Sequence, residues 1–426
     1  RGAVLEDHSI VVQAGRIEAI LPREQASAIP ARQVLERPAH AVLPGFVNAH
    51  AHAAMTLLRG AAAGRPLEPW LRQVVWPLES RLVDADFVRD GTEQAIAEML
   101  LGGTTCFADM YFFPEVVAQL ASDLGMRAAV AVPVLDVPTV WAATIDEYLD
   151  KGLRLADEYR GHPLVHTFFA LHSPALSTDA TLARVRTLAD QLDAPVMIHL
   201  LESADDAARE RSRHGIDPVD RLERAGLVNN LLVAVHCVHL DEAGIGRFAD
   251  VGASVVHCPT SNLKLASGIA PVAAMRAAGL NVALGSDGSA SNDRLDMLSE
   301  ARLAALLAAG ATGDAAAVGA AEALEMATLG GARAMGLDAG IGSLVPGKWA
   351  DLCCVDLGKV SVQPVIDVLE SLLHSASRAD VSDVWVAGRQ LVEDATLLRI
   401  DTASLRARTN RWQSRVLAAR NSLPGN

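Results

Sequence analysis

Residues Leu43–His52 read "LPGFVNAHAH": an apolar run passes through Pro44 and Gly45 and ends on two histidines, His50 and His52, two positions apart. On an extended backbone such positions share a face, so both rings can reach one ion. Taken alone, the pair reads equally well as two strand-end histidines bonded to their neighbours. The decision rests on whether the arrangement recurs.

It recurs three times. "VMIHLLES" ends an apolar run on His199, with Glu202 three residues on. "VAVHCVHL" ends one on His236, and His239 falls in the loop beyond, where a structural role is expected. "VALGSDGSASND" ends on Asp287, flanked by Gly285 and Gly288, which let backbone approach a ligand closely. Asp109, His172 and His257 also stand at or just past the ends of apolar runs.

The runs themselves are expected strands: 41–47, 104–108, 127–133, 164–171, 195–198, 231–235, 253–256 and 281–284. Between them lie Ala/Leu-rich helical stretches such as "TEQAIAEMLLGG" and "PEVVAQLASDLG", which stop at Gly as a C-terminal cap requires. Eight βα units over about 300 residues give a (β/α)8 TIM barrel, an α/β fold. An open doubly wound sheet has the same local pattern, but would scatter the polar strand ends along a crevice. A barrel brings all of them to one face.

Outside the barrel the texture changes. "SIVVQAGRIEAIL" reads as a hairpin turning at Gly15, and "GSLVPGKWADLCCVDL" and "VSDVWVAGRQLV" read as further strands before a last helix over about 402–419. Residues 1–40 and 341–426 are therefore expected to form one small β-sandwich-like domain, with 41–340 as the metal-dependent catalytic barrel.

Composition bounds the function. The chain has 426 residues, 50% hydrophobic and 21% charged, as in globular proteins. A net charge of −14 repels phosphate backbones and anionic lipid, so nucleic acid and membrane partners are not expected. The five cysteines are odd in number and lack CxxC spacing, which fits a reducing cytoplasm and argues against a disulfide framework. There is no apolar run of about 18 residues and no signal-peptide pattern. Neither GxGxxG nor GxxxxGK[ST] occurs at the start of a βα unit, so dinucleotide and P-loop chemistry lack support. Cys106, Cys237 and Cys258 lie near strand ends, but a nucleophilic thiol is the lesser reading. His166, six residues before His172, is taken as a core histidine.

A catalytic zinc site needs neutral imidazoles, a further donor, a position for water, and a carboxylate beside that water to carry protons. Glu202 suits the last task, and Asp287 can both bind metal and accept a proton. His50 and His52, then His199 with Glu202, then His236, then Asp287, in chain order at the ends of barrel strands, point to a metal-dependent hydrolase.

Together, "LPGFVNAHAHAAMTLLRG", "HLLES", "AVHCVHL", "HCPTSNLKL", "GSDGSASN" and "GSLVPGKWADL" resemble the amidohydrolase superfamily, in its branch of mononuclear-zinc aminohydrolases. The likeness covers nearly the whole chain. Its nearest branch is the 5'-methylthioadenosine/S-adenosylhomocysteine deaminases, with triazine chlorohydrolase-like enzymes and guanine deaminases nearby. The resemblance implies one Zn2+ per subunit on His50, His52, His199 and Asp287, with Fe2+ and Mn2+ compatible with the same donors. It implies that Glu202, His236 and Asp287 are catalytic, that Glu79 in "VVWPLES" binds the ribose hydroxyls, and that His172 in "ALHSPALS", with Glu202, contacts the base. The fourth strand's end lacks the lysine that bridges two metals in dinuclear relatives. The expected partner is a small purine nucleoside, and the expected assembly a homo-oligomer.

One departure bears on substrate. Some of these deaminases hold the homocysteine carboxylate with arginines after the third strand, where this chain reads "PVLDVPTVWAATIDEYLDKG", without Arg. Methylthioadenosine is therefore favoured over S-adenosylhomocysteine. The alternatives are a free-base, pterin or triazine hydrolase and, from another class, a catalytically silent scaffold barrel.

Overall fold

A computed structural model describes residues 4–423. Eight strands, Phe46–Ala51, Thr104–Asp109, Arg127–Val134, Val165–Leu171, Val196–Leu200, Leu232–His236, Ser254–His257 and Asn281–Leu284, lie side by side in chain order, every neighbouring pair parallel. Most are buried along their whole length, as strands covered on both faces must be. Inside, Ala49, Ala108, Ala131, Ala170 and Ala283 pack with Phe168, Met197 and Val256, so small residues from most strands fill the narrow lumen.

The barrel closes at the site. Asp287 N–H donates to the His50 carbonyl at 3.0 Å, and Ser286 N–H to Asn48 Oδ1 at 2.9 Å. This approach requires glycine at 285, since a Cβ there would lie 2.8 Å from the Cβ of His50.

Helices cover the outside, and their ends follow the chain's chemistry. Asp84, Thr144, Thr178, Asp241 and Asp296 each accept a backbone N–H as N-caps. Gly125, Gly252 and Gly313 end helices in the left-handed conformation.

The run expected as one strand over 41–47 is two. His40–Pro44 pairs antiparallel with Leu352–Asp356, outside the barrel, and the barrel strand starts only at Phe46. The break falls where Pro44 lacks an N–H and Gly45 lacks a Cβ that would lie 2.1 Å from Thr105 Cγ2. The fifth strand runs two residues further than expected, to Leu200, so His199 is part of it.

His40–Pro44 forms the edge of a five-stranded antiparallel sheet with Leu352–Asp356, Val381–Val386, Arg389–Glu393 and Thr396–Leu397. The hairpin His8–Gln13/Arg16–Pro22 turns at Gly15, as expected, and packs Ile17 against Ala350 and Leu352. The last helix, Thr402–Asn421, lies on the barrel helix Ala85–Leu101, where Trp412 meets Phe87 edge-on and donates to Asp90 at 2.8 Å. A buried bidentate pair ties the small sheet to the barrel: Arg127 Nε and Nη2 reach Asp351 at 2.8 and 3.1 Å.

Candidate metal centre and active site

The C-terminal strand ends gather the expected residues. His50 and His52 come from the first strand and its end, His199 from the fifth, His236 from the sixth, and Asp287 from the turn after the eighth. Asp287 Oδ1 lies 3.2 Å from His52 Nε2 and 3.5 Å from His50 Nε2. His199 Nε2 is 3.2 Å from His50 Nε2. Donor atoms of His50, His52 and Asp287 lie within 4.8 Å of one another, as do those of His50, His199 and His236. His236 Nε2 lies 3.6 Å from Glu202 Oε2.

Four residues at these strand ends have strained backbone. Leu201, His236, Cys237 and Asp287 all have positive φ, at 52°, 72°, 48° and 58°. Such conformations are costly for residues with a Cβ and persist where the surroundings impose them, commonly at functional sites.

The outer ring nitrogens explain the aim of the inner ones. His52 Nδ1 faces the Met110 carbonyl at 2.5 Å, and His199 Nδ1 faces the His172 carbonyl at 2.7 Å. A carbonyl only accepts, so each Nδ1 carries the proton and each Nε2 presents a lone pair inward. Asp287 is aimed in the same way: its Oδ2 accepts from Ser261 Oγ at 2.6 Å and Ser291 Oγ at 2.8 Å, while Oδ1 faces the histidines. Converging lone pairs and a carboxylate oxygen are mutually repulsive without a cation, and imidazole with carboxylate suits zinc or another borderline divalent ion. The donor set therefore fits a metal ion.

Electrostatics agree. Burial, reinforced by the imidazole of His50, holds His199 well below the usual histidine range, and burial takes His236 down to about 3 and His172 to about 4. Burial works against an ionised Asp287, but His50 and His52 beside it hold its carboxyl well below the carboxylate range. Burial lowers His50 as well, whereas at His52 burial is outweighed by the Asp287 carboxylate and the ring is raised, so without an ion His52 tends to hold a proton against Asp287. Metal binding, which needs neutral rings and an ionised Asp, displaces that proton.

Glu79 lies on the short helix Trp76–Leu82, where Tyr111 Oη donates to it at 2.7 Å. Burial pushes its carboxyl up to about 7. The Tyr111 ring is 6.2 Å from that of His52, which puts Glu79 one aromatic ring from the metal candidates. The His172 ring is 5.1 Å from that of His199, and its Nδ1 has no hydrogen-bond partner.

Other polar residues stand apart. His239 binds the Ser267 carbonyl at 2.9 Å, a structural role. His166 is half-buried near the start of its strand, away from the strand ends that carry the site. All five cysteines are buried and free, and burial pushes their thiols up, Cys106 to about 12. A thiol so placed is a poor nucleophile. Sequence reading did not find Asn262, whose Nδ2 lies 3.0 Å from His236 Nδ1, nor Ser261 and Ser291. Their only signal is that they lie within the "HCPTSN" and "GSDGSASN" stretches.

Residues 41–391 match the model of the Amidohydrolase family. The chain is 44% identical to a 5-methylthioadenosine/S-adenosylhomocysteine deaminase of Teredinibacter turnerae, over 98% of this chain and 95% of that protein. It is 42% identical to the protein of the same name from Moorella thermoacetica, over 87% and 86%. Among solved structures, an adenosine deaminase from Xanthomonas campestris with bound zinc superimposes with a TM-score of 0.97 at 48% identity, covering 98% of this chain and 95% of that one. An atrazine chlorohydrolase from Arthrobacter aurescens in complex with zinc has a TM-score of 0.88 at 26% identity, covering 96% of each chain. The histidines and aspartate at the strand ends thus sit in a chain that belongs to the amidohydrolase family.

Proposed function

We propose that this protein is a zinc-dependent hydrolytic deaminase of adenine nucleosides, with methylthioadenosine as its favoured substrate. The observation that carries the reading is the convergence of His50, His52, His199 and Asp287 beside Glu202 and His236. Its support in the comparisons is the names of the relatives and the zinc in the adenosine deaminase neighbour.

His50, His52, His199 and Asp287 would hold the ion. When bound, zinc supplies hydroxide at neutral pH by lowering the pKa of water to about 7. Asp287 accepts the proton that the water loses. His236 steadies the attacking oxygen as it bonds to C6. Glu202 gives its proton to ring N1 and regains one from the C6 hydroxyl as the carbonyl forms, while the proton held on Asp287 passes to the exocyclic nitrogen, so that the C6–N bond breaks and ammonia leaves with the inosine analogue as product. Glu79, held by Tyr111, accepts from the ribose hydroxyls, and His172 contacts the base.

The loop after the third strand supports an uncharged 5' substituent. It has no Arg, and the one cation in the segment up to 152, Lys151 on the following helix Ile145–Glu158, is engaged by Glu147 at 2.7 Å and by the Trp141 carbonyl. No described helix is long and apolar enough to cross a membrane. Five free thiols suit a reducing cytoplasm.

The test is an ammonia-release screen of the zinc-loaded protein against adenosine, methylthioadenosine, S-adenosylhomocysteine, guanine and s-triazines. The highest kcat/KM is expected on methylthioadenosine. Ammonia from guanine or a triazine, with none from any adenine nucleoside, overturns the reading.

A further inference from the structure

By distance alone, His236 qualifies as a metal ligand as well as His52 does, since each shares a donor group with His50. What separates them is the other ring nitrogen. His52 and His199 turn Nδ1 to carbonyl oxygens, whereas His236 turns Nδ1 to the amide nitrogen of Asn262 at 3.0 Å. An amide nitrogen only donates, so His236 Nδ1 must carry the lone pair and Nε2 the proton. The opposite side of the ring agrees, because Nε2 faces Glu202 Oε2, an acceptor, at 3.6 Å. Turning the amide over would reverse the tautomer and, in the resting enzyme with Glu202 ionised, set a ring lone pair against that carboxylate, like against like.

We propose that Asn262 is a positioning residue that fixes His236 in the Nε2–H tautomer, keeping it out of the metal's coordination and presenting an N–H donor to the attacking oxygen. The inference rests on the deaminase reading for what the donor does, but not for the tautomer itself. Asn262 is buried on the short helix Pro259–Lys264, directly after the seventh strand. Its N–H donates to the Cys258 carbonyl at 3.0 Å, and its carbonyl accepts from Ser267 N–H at 2.8 Å, so its backbone is held at both ends. The preceding residue, Ser261, donates to Asp287 Oδ2. One turn therefore fixes two partners in opposite senses: Ser261 leaves an Asp287 oxygen to face the histidines, and Asn262 leaves His236 with no inward lone pair.

The decisive variant is Asn262→Asp, which keeps the shape but can only accept, and so demands a proton on Nδ1. In 15N-histidine-labelled, zinc-loaded, full-length protein, long-range ring spectra should show His236 protonated on Nε2, with its signals assigned by their loss in His236→Asn. In Asn262→Asp the pattern should invert, with kcat falling on the order of 10² to 10⁴-fold and KM within about threefold. Asn262→Leu, which holds neither tautomer, should lose less than Asn262→Asp. A purely structural role gives the reverse order, because Asp is the better isostere.

The inference is overturned by a wild-type His236 protonated on Nδ1, or by Asn262→Asp keeping both tautomer and turnover. An inactive wild-type enzyme with Nε2 protonated overturns the deaminase reading alone. An active one with Nδ1 protonated overturns this inference alone.

Discussion

At the N-terminal end of the barrel Arg127 closes on Asp351, while at the other end four donors turn their electron-rich sides toward one another. The first cluster is complete in itself. Arg127 also donates to the Pro163 carbonyl at 2.5 Å, and Asp351 Oδ1 also accepts from Ala387 N–H at 2.7 Å. Opposite charges meet with each Arg127 side-chain nitrogen and both Asp351 carboxylate oxygens engaged, so the pair joins the barrel to the small sheet without any ligand. The second cluster needs a positive charge in its middle, a proton on His52 or a metal ion. His52 and His199 spend their protons outward on carbonyls, and Ser261 and Ser291 occupy the outer oxygen of Asp287. Buried charge thus serves stability where it is internally neutralised, and function where it is left to be neutralised from outside.

Mutations should separate the two ends. Glu202→Gln keeps the metal donors and removes the proton carrier, so kcat for ammonia release should fall on the order of 10² to 10⁴-fold at unchanged metal content. Normal turnover in that variant would remove Glu202 from the mechanism. Asp351→Ala strands the buried Arg127 guanidinium and should cost about 3 to 5 kcal/mol by denaturant unfolding, with the metal stoichiometry of the folded protein unchanged. A loss of metal there would mean that the two ends are coupled.

Glu300 tests the boundary between them. It is buried behind the site, where its carboxylate accepts from Asn292 at 2.9 Å and Thr260 N–H at 3.2 Å, and Asn292 in turn donates to the Ser286 carbonyl at 2.6 Å. Burial pushes its carboxyl from 4.5 up to about 7. Between those values the folded state binds more protons than the unfolded one, so this contribution to stability is full below about pH 4.5 and lost as pH rises through about 7. Relative to wild type, Glu300→Gln should therefore gain stability from about pH 4.5 to about pH 8, by on the order of 3 kcal/mol, measured by denaturation at both pH values. A pH-independent difference would show that Glu300 is ionised throughout. The smallest effect expected is that of Glu79→Ala, a rise in KM of about tenfold for a nucleoside with kcat nearly kept, since uniform binding is what is removed. Indifference to this change would point to a ribose-free substrate.

The sequence exposed what depends on local period. Two-residue spacing put His50 and His52 on one face, and apolar runs ending in His or Asp marked the strand ends that converge. It hid what depends on partners. The turn at Pro44–Gly45 lies within one apolar run and is set by Thr105 and by the pairing of His40–Pro44 with Leu352–Asp356. Arg127 and Asp351 meet across 224 residues of chain, with no local pattern in either. The split between histidines that present a lone pair and one that presents a proton is set at Nδ1 by the Met110 and His172 carbonyls and the Asn262 amide. Every residue has a carbonyl, so nothing in its letter marks the one that orients a ligand.

The most direct measurement is the metal content of the purified full-length chain beside that of Asp287→Ala, with ammonia release from methylthioadenosine followed through chelation and zinc return. One zinc per chain is expected in the wild type, its loss in the variant, and activity that vanishes and returns with the ion. Turnover that survives complete removal of metal, or an Asp287→Ala variant that keeps its zinc and its rate, would contradict zinc-dependent deamination.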